Sequence, residues 1–168
     1  MSSDAIALTI VMAGASTAAA IDIRTGRVPN AVTMSLASAG VLLAAAGLGR
    51  VGVMAALAGG LLGLALMLPG YLLGATGGGD VKLLSALGTL LGPESTLWAF
   101  LVAMIAGGVL ALVVAAYRGR LLVAVSQTAE LIRTAGGNAA QIEDPATNNG
   151  FAYALAIAIG AIVAGAFI

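Results

Sequence analysis

The stretch Gly77 to Gly92 reads GGGDVKLLSALGTLLG. Its apolar part, Val81 to Leu91, is shorter than the about 17 to 25 residues that a membrane-spanning helix needs. Five other apolar segments flank it: Ala5 to Ile21, Ala31 to Leu48, Val51 to Leu73, Ser95 to Tyr117 and Phe151 to Ile168. Whether the short segment crosses therefore decides the fold. With it the chain is a bundle of six spans. Without it, everything after Leu91 changes sides.

The basic residues favour six. Arg24, Arg27, Lys82, Arg118, Arg120 and Arg133 then fall on one side, and only Arg50, between the second and third spans, falls on the other. Basic residues gather in cytoplasmic loops, so both termini are expected outside and the larger loops in the cytoplasm.

Composition supports a membrane protein as a class. Of 168 residues, 61% are hydrophobic and 8% charged, against about 25% charged in soluble domains, and the mean hydropathy is +1.10. Such a chain cannot cover a water-facing surface of its own. The length suits one domain, 1–168. Seven basic and seven acidic residues cancel, which argues against nucleic acid as a partner. There is no Cys and no His. That excludes disulfides, thiol nucleophiles, a Ser-His-Asp triad and the usual zinc site. No metal and no cofactor is expected. The N-terminus, Met1-Ser2-Ser3-Asp4, lacks the positive charge of a signal peptide, so the first apolar segment reads as a retained helix.

Glycine pairs Gly59/Gly63 and Gly70/Gly74 fit close helix packing, and Pro69 is expected to kink the third helix. From Gly119 to Thr134, Leu121, Leu122, Val125, Ala129 and Ile132 recur at helical spacing among polar residues. That predicts an amphipathic helix on the cytoplasmic membrane surface. Gly136 to Gly150 reads as an exposed loop.

Of the seven carboxylates, Asp4, Glu94, Glu130, Glu143 and Asp144 fall in termini, turns or the surface helix. Asp22 closes the first span and Asp80 opens the fourth, both at the cytoplasmic boundary, where an ionisable group is a functional candidate. Asp80 could instead only cap its helix, and Asp22 could only pair with Arg24 or Arg27. Gly77, Gly78 and Gly79 leave the backbone before Asp80 unshielded. Glycine tolerates positive φ and the close approach of another chain, which suits a protease that must hold an unwound peptide. A phosphate-cradling loop is the rival reading, but the Walker spacing is absent.

Gly77-Gly78-Gly79-Asp80 resembles the GxGD signature of intramembrane aspartic proteases. The wider string from Gly77 to Gly92 is similar to the type IV prepilin peptidases. DIRTGRVPNAVT, Asp22 to Thr33, resembles the first catalytic motif of that family: an Asp, a basic cluster, then Pro29-Asn30. FAYALAIAIG, Phe151 to Gly160, is similar to the closing helix of short members, with Ala152 where Pro is common. The resemblance implies Asp22 and Asp80 as the catalytic pair. It makes Gly77, Gly78, Gly79, Lys82, Pro29 and Asn30 candidates for substrate binding or loop shaping. The implied substrates are prepilins, each a single apolar helix with a short cytoplasmic leader, cleaved at the inner-membrane face. The long bifunctional members carry an added cysteine-containing region and methylate the new terminus. This chain has no Cys and resembles the short peptidase-only form of tight-adherence (Flp-type) systems. A small proton- or cation-coupled transporter using the same two aspartates is the alternative, though carriers bind near the midplane.

Overall fold

The computed structural model of the chain describes residues 3–72, 76–117, 119 and 153–167. The amphipathic segment and the loop expected between Gly119 and Gly150 lie outside the described residues, Gly119 excepted. All described secondary structure is helical: α1 (Ser3–Thr25), α2 (Asn30–Ala45), α3 (Val53–Leu72), α4 (Gly78–Tyr117) and α5 (Tyr153–Phe167). The helices over Ala5–Thr25, Val53–Leu72 and Gly78–Val113 are long and apolar enough to cross a membrane, and Asn30–Ala45 and Ala154–Ala166 are shorter apolar helices. Met54, Leu61 and Leu72 on α3 and Met104 and Ile105 on α4 are exposed, as expected of a surface facing lipid rather than water. This is a membrane protein.

The 40-residue run of α4 is two helices joined at Gly92, whose φ of 78° and ψ of 173° are not helical. Pro93 follows, and a proline restricts the residue before it. In an unbroken helix, Leu84 and Met104 would stand about 30 Å apart. Instead Leu84, Phe100, Ala103, Met104 and Ile157 line one small cavity. A Cβ on Gly88 would meet the Thr96 hydroxyl at 3.1 Å. The chain therefore reverses at Gly92, and 78–91 packs back along 93–117. The short segment Val81 to Leu91 is the first arm of that hairpin.

Glycines set how closely the first arm approaches α3. A Cβ on Gly59 would collide with the Gly88 carbonyl, and one on Gly63 would sit 2.7 Å from the Leu84 carbonyl. Gly60 faces Thr89 and Ser85, and the Ser85 hydroxyl donates to the Gly60 carbonyl at 2.8 Å. As α3 residue numbers rise, their partners' numbers fall, so the two helices are antiparallel. Both Gly59 and Gly63 thus serve the packing expected of them. Gly70 packs on Thr76, and Gly74 lies outside the described residues. α3 continues through Pro69 to Leu72.

The core is built from small and aliphatic side chains: Val11, Ala15 and Ala18 of α1, Leu83, Leu84 and Leu87 of α4, and Ala154, Ile157 and Ala161 of α5. α5 lies against both arms of α4. Gly160 has no room for a side chain beside Ala99 and Ala103, and Gly165 abuts Leu8 and Leu91. At that end of the bundle, the Arg50 guanidinium donates to the Gly165 carbonyl at 2.9 Å. It supplies a partner to one of the carbonyls a helix C-terminus leaves over. Arg50, the basic residue expected on the far side, thus has a structural task there.

Candidate active site

Four helix ends meet at the opposite end of the bundle: the C-terminus of α1 and the N-termini of α2, α4 and α5. α1 runs one turn past the predicted Ile21, so Asp22 lies within the helix rather than after it. The helix stops at Thr25 because Gly26 turns left-handed, with φ 63°, and its N–H bonds the Asp22 carbonyl at 2.7 Å. That is the usual glycine helix stop. The Thr25 hydroxyl bonds the Ile21 carbonyl at 2.8 Å and the Arg27 carbonyl at 3.0 Å, tying down the turn. Pro29 then takes the N-cap position of α2, with φ −65° and ψ 137°, and its carbonyl accepts from Val32 and Thr33. The turn from Asp22 to Asn30 is thereby held short.

On the other side of the site, Gly77 precedes the first residue of α4. Asp80 is the third residue of that helix, not its N-cap. The Asp80 carboxylate folds back beside the Gly77 backbone. This is the arrangement by which an acidic residue in the first turn reaches back to the cap. Gly78 and Gly79 are already helical, and none of the three glycines has positive φ; that conformation belongs to Gly26, Gly47, Gly92 and Gly119 among the described residues. The glycines serve close approach instead. A Cβ on Gly79 would lie 3.1 Å from Val28, and one on Gly78 would lie 3.3 Å from the Tyr71 ring. A Cβ on Gly77 would meet only the Asp80 carboxylate, at 3.3 Å.

These segments enclose a cavity of about 260 Å³ lined by Asp22, Gly26, Arg27, Val28, Asn30, Gly77, Gly78, Gly79 and Asp80. Asp22 and Asp80 are only 9% and 8% exposed, while Gly77 remains open. The two carboxylates are within electrostatic reach of each other. Among the described residues no third acidic group, Cys or His joins them into a cluster. Neither Arg24 nor Arg27 forms an ion pair with Asp22. Arg24 stands two residues along the helix from Asp22, and such positions do not face each other. The backbone at Ala154, in the first turn of α5, lies near Asp22 instead.

Two buried carboxylates thus stand at one cavity, beside exposed glycine backbone in an apolar bundle. The family model of the type IV leader peptidases matches residues 9–112. The chain belongs to that family. No curated protein and no solved structure matches it. The region matched to the leader peptidase family holds both aspartates, the glycine run and most of the α4 hairpin, and ends before α5.

Of the residues singled out in the sequence, the leader-peptidase fold gathers Asp22, Asp80, Gly77, Gly78, Gly79 and Asn30 around one cavity. Pro29 and Lys82 do not line it. Lys82 is exposed and donates to the Asn30 side chain at 3.1 Å, linking the starts of α4 and α2 at the rim. Gly26, Val28 and Ala154 were not foreseen as parts of the site. Gly26 was recognisable, since a glycine after the last periodic residue marks a helix end. Val28 and the Ala154 amide carried no sequence signal.

Proposed function

We propose that this chain is a multi-pass, membrane-embedded aspartic endopeptidase that removes the cytoplasmic leader from type IV, Flp/Tad-like prepilins. The single domain 1–168 crosses the bacterial inner membrane six times, with Arg24, Arg27 and Lys82 on the cytoplasmic side. Asp22 and Asp80 are the catalytic pair. The observation that carries this reading is their burial at a common cavity, although 58 residues separate them in sequence. That both stand at one end of the bundle supports a peptidase over a carrier, whose site belongs near the midplane.

The chemistry needs a pair holding one proton between them. The ionised carboxylate takes a proton from water as the water oxygen attacks the scissile carbonyl carbon. The protonated one gives its proton to the carbonyl oxygen. The tetrahedral diol then collapses: the carboxyl that took the water's proton passes it to the departing nitrogen as the C–N bond breaks, and the other carboxylate takes a proton from a diol hydroxyl as the carbonyl re-forms. The pair is left with one proton, as it began. The two groups titrate together, so acid and base are properties of the pair. The glycine backbone at 77–79 offers room beside the carboxylates for an extended stretch of substrate. Lys82 and Asn30 shape the rim, and Pro29 shapes the turn that carries Asn30. The chain has the peptidase activity without the N-methyltransferase activity of the long members.

The test is co-expression with a candidate prepilin, reading leader removal as a mobility shift. Asp22→Asn and Asp80→Asn should each abolish processing while leaving the protein in the membrane. Processing that survives both substitutions ends the two-carboxylate mechanism.

A further inference from the structure

We propose that this protein thins the bilayer beside α1 and α2, so that its carboxylate cavity lies below the general level of the membrane and is reached from that side. The inference rests on the six-span reading of the bundle and not on the peptidase chemistry.

The register of the helices gives the depth. Gly88 on the first arm of α4 faces Thr96 on the second, and Leu84 shares a cavity with Phe100 and Met104. Continuing that antiparallel pairing puts Asp80 level with 103–107. The reversal at Gly92 marks the far end of the bundle, where Glu94 is exposed and Arg50 reaches the Gly165 carbonyl. From Gly92 back to Asp80 the helix rises only about 18 Å, and Asp22 lines the same cavity. A hydrocarbon core is about 30 Å thick.

The second arm of α4 fills that thickness. No charge interrupts 95–117, which is about 33 Å of helix. Val109, Leu112 and Val113 are exposed beyond the level of Asp80, and Tyr117 ends the run fully open, as an aromatic residue at a membrane boundary does. The side of α1 and α2 is shorter. On α1 only 5–21 is free of charge before Asp22 and the exposed Arg24, about 24 Å. α2 is also about 24 Å long. It runs parallel to the first arm, since Gly40 packs on Thr89 and the Asn30 side chain meets Lys82. Lys82 is exposed and lies nearer the far end than Asp80 does. Tilting the molecule cannot equalise two edges of unequal height. Leaving these cations in hydrocarbon is expensive, whereas thinning a bilayer costs little per ångström. The bilayer therefore dips to meet Arg24, Arg27 and Lys82. The α1–α2 turn lines the cavity through Gly26, Arg27, Val28 and Asn30, so water drawn down to that turn reaches the carboxylates.

The chain has no Cys, so single-cysteine variants report on water at chosen points. Ala31→Cys lies in the first turn of α2. Ile105→Cys lies on the second arm at the level of Asp80, and both positions are exposed. In dioleoyl phosphatidylcholine nanodiscs with a charged maleimide, Ala31→Cys should react roughly tenfold faster than Ile105→Cys, because only the thiolate reacts and it forms in water. Passing to dierucoyl lipid, which is thicker, should slow Ala31→Cys by about threefold or more as mismatch accumulates, and leave Ile105→Cys slow. Equal rates at the two positions, or a rate at Ala31→Cys indifferent to chain length, overturn the proposal. The labelling needs no substrate, so it stands or falls apart from the peptidase reading. Leader removal by the unsubstituted protein in the same discs should fall in step with the Ala31→Cys rate. Cleavage that holds steady while Ala31→Cys slows overturns the claim that this dip gives access to the site.

Discussion

Two glycine clusters in this protein look alike in sequence and act differently in the fold. Gly59, Gly60 and Gly63 lie mid-helix in α3 and are closed over by the backbone of α4. Gly77, Gly78 and Gly79 open α4 at the rim, and Gly77 borders empty space and one carboxylate. In the first cluster, the missing side chain lets two helices touch, where dispersion and weak polar contacts replace the hydrophobic effect that lipid cannot supply. In the second, Gly78 and Gly79 let Tyr71 and Val28 come close, and Gly77 leaves backbone accessible beside the acidic pair. One cluster holds the bundle together, and the other keeps its site open.

Substitutions can break that contrast. Gly59→Ala should have the largest effect. Its methyl would strike the Gly88 carbonyl, a backbone atom that cannot rotate away, and overpacking of this kind costs about 1–3 kcal/mol or more. Thermal unfolding in detergent should show it, with processing reduced only as folded protein is lost. Gly92→Ala should follow at roughly 1–3 kcal/mol, the cost of a φ/ψ region that essentially only glycine enters, and its methyl would also press on Val51 at 2.9 Å. Gly77→Ala should reverse the pattern. Unfolding should move by less than about 0.5 kcal/mol, as for an exposed site. Cleavage per folded molecule should fall, because the methyl would enter the cavity 3.3 Å from the Asp80 carboxylate. If Gly77→Ala instead lowers stability and cleavage in step, the two clusters do the same work and the contrast is lost. The smallest effect belongs to Asn30→Ala. It removes an exposed bond from Lys82, so unfolding should change by only a few tenths of a kcal/mol, with any loss confined to substrate affinity.

Much of the site was legible because its parts are unusual for their surroundings. An aspartate beside apolar helices demands a reason, and a run of three glycines before one of them narrows that reason. The supporting parts were not legible in the same way. The amide of Ala154 is identical in sequence to that of any other alanine in the chain. The Lys82–Asn30 bond joins residues 52 apart, and Arg50 reaches a carbonyl 115 residues away. No local pattern encodes such pairings. The glycine run was assigned positive φ as well as close approach, and none of its three residues adopts positive φ.

The chain's own letters determined that it is a helical membrane protein, because an apolar segment in lipid must satisfy its hydrogen bonds within itself. They also determined where helices stop, through Gly26, Pro29 and the Gly92-Pro93 reversal. Tertiary structure alone decided which helix ends share a rim. It also decided that the last helix packs along both arms of α4, since that depends on how far small residues let distant helices approach. Periodicity specifies a helix face, but the distance between two faces is set by all the side chains packed between them.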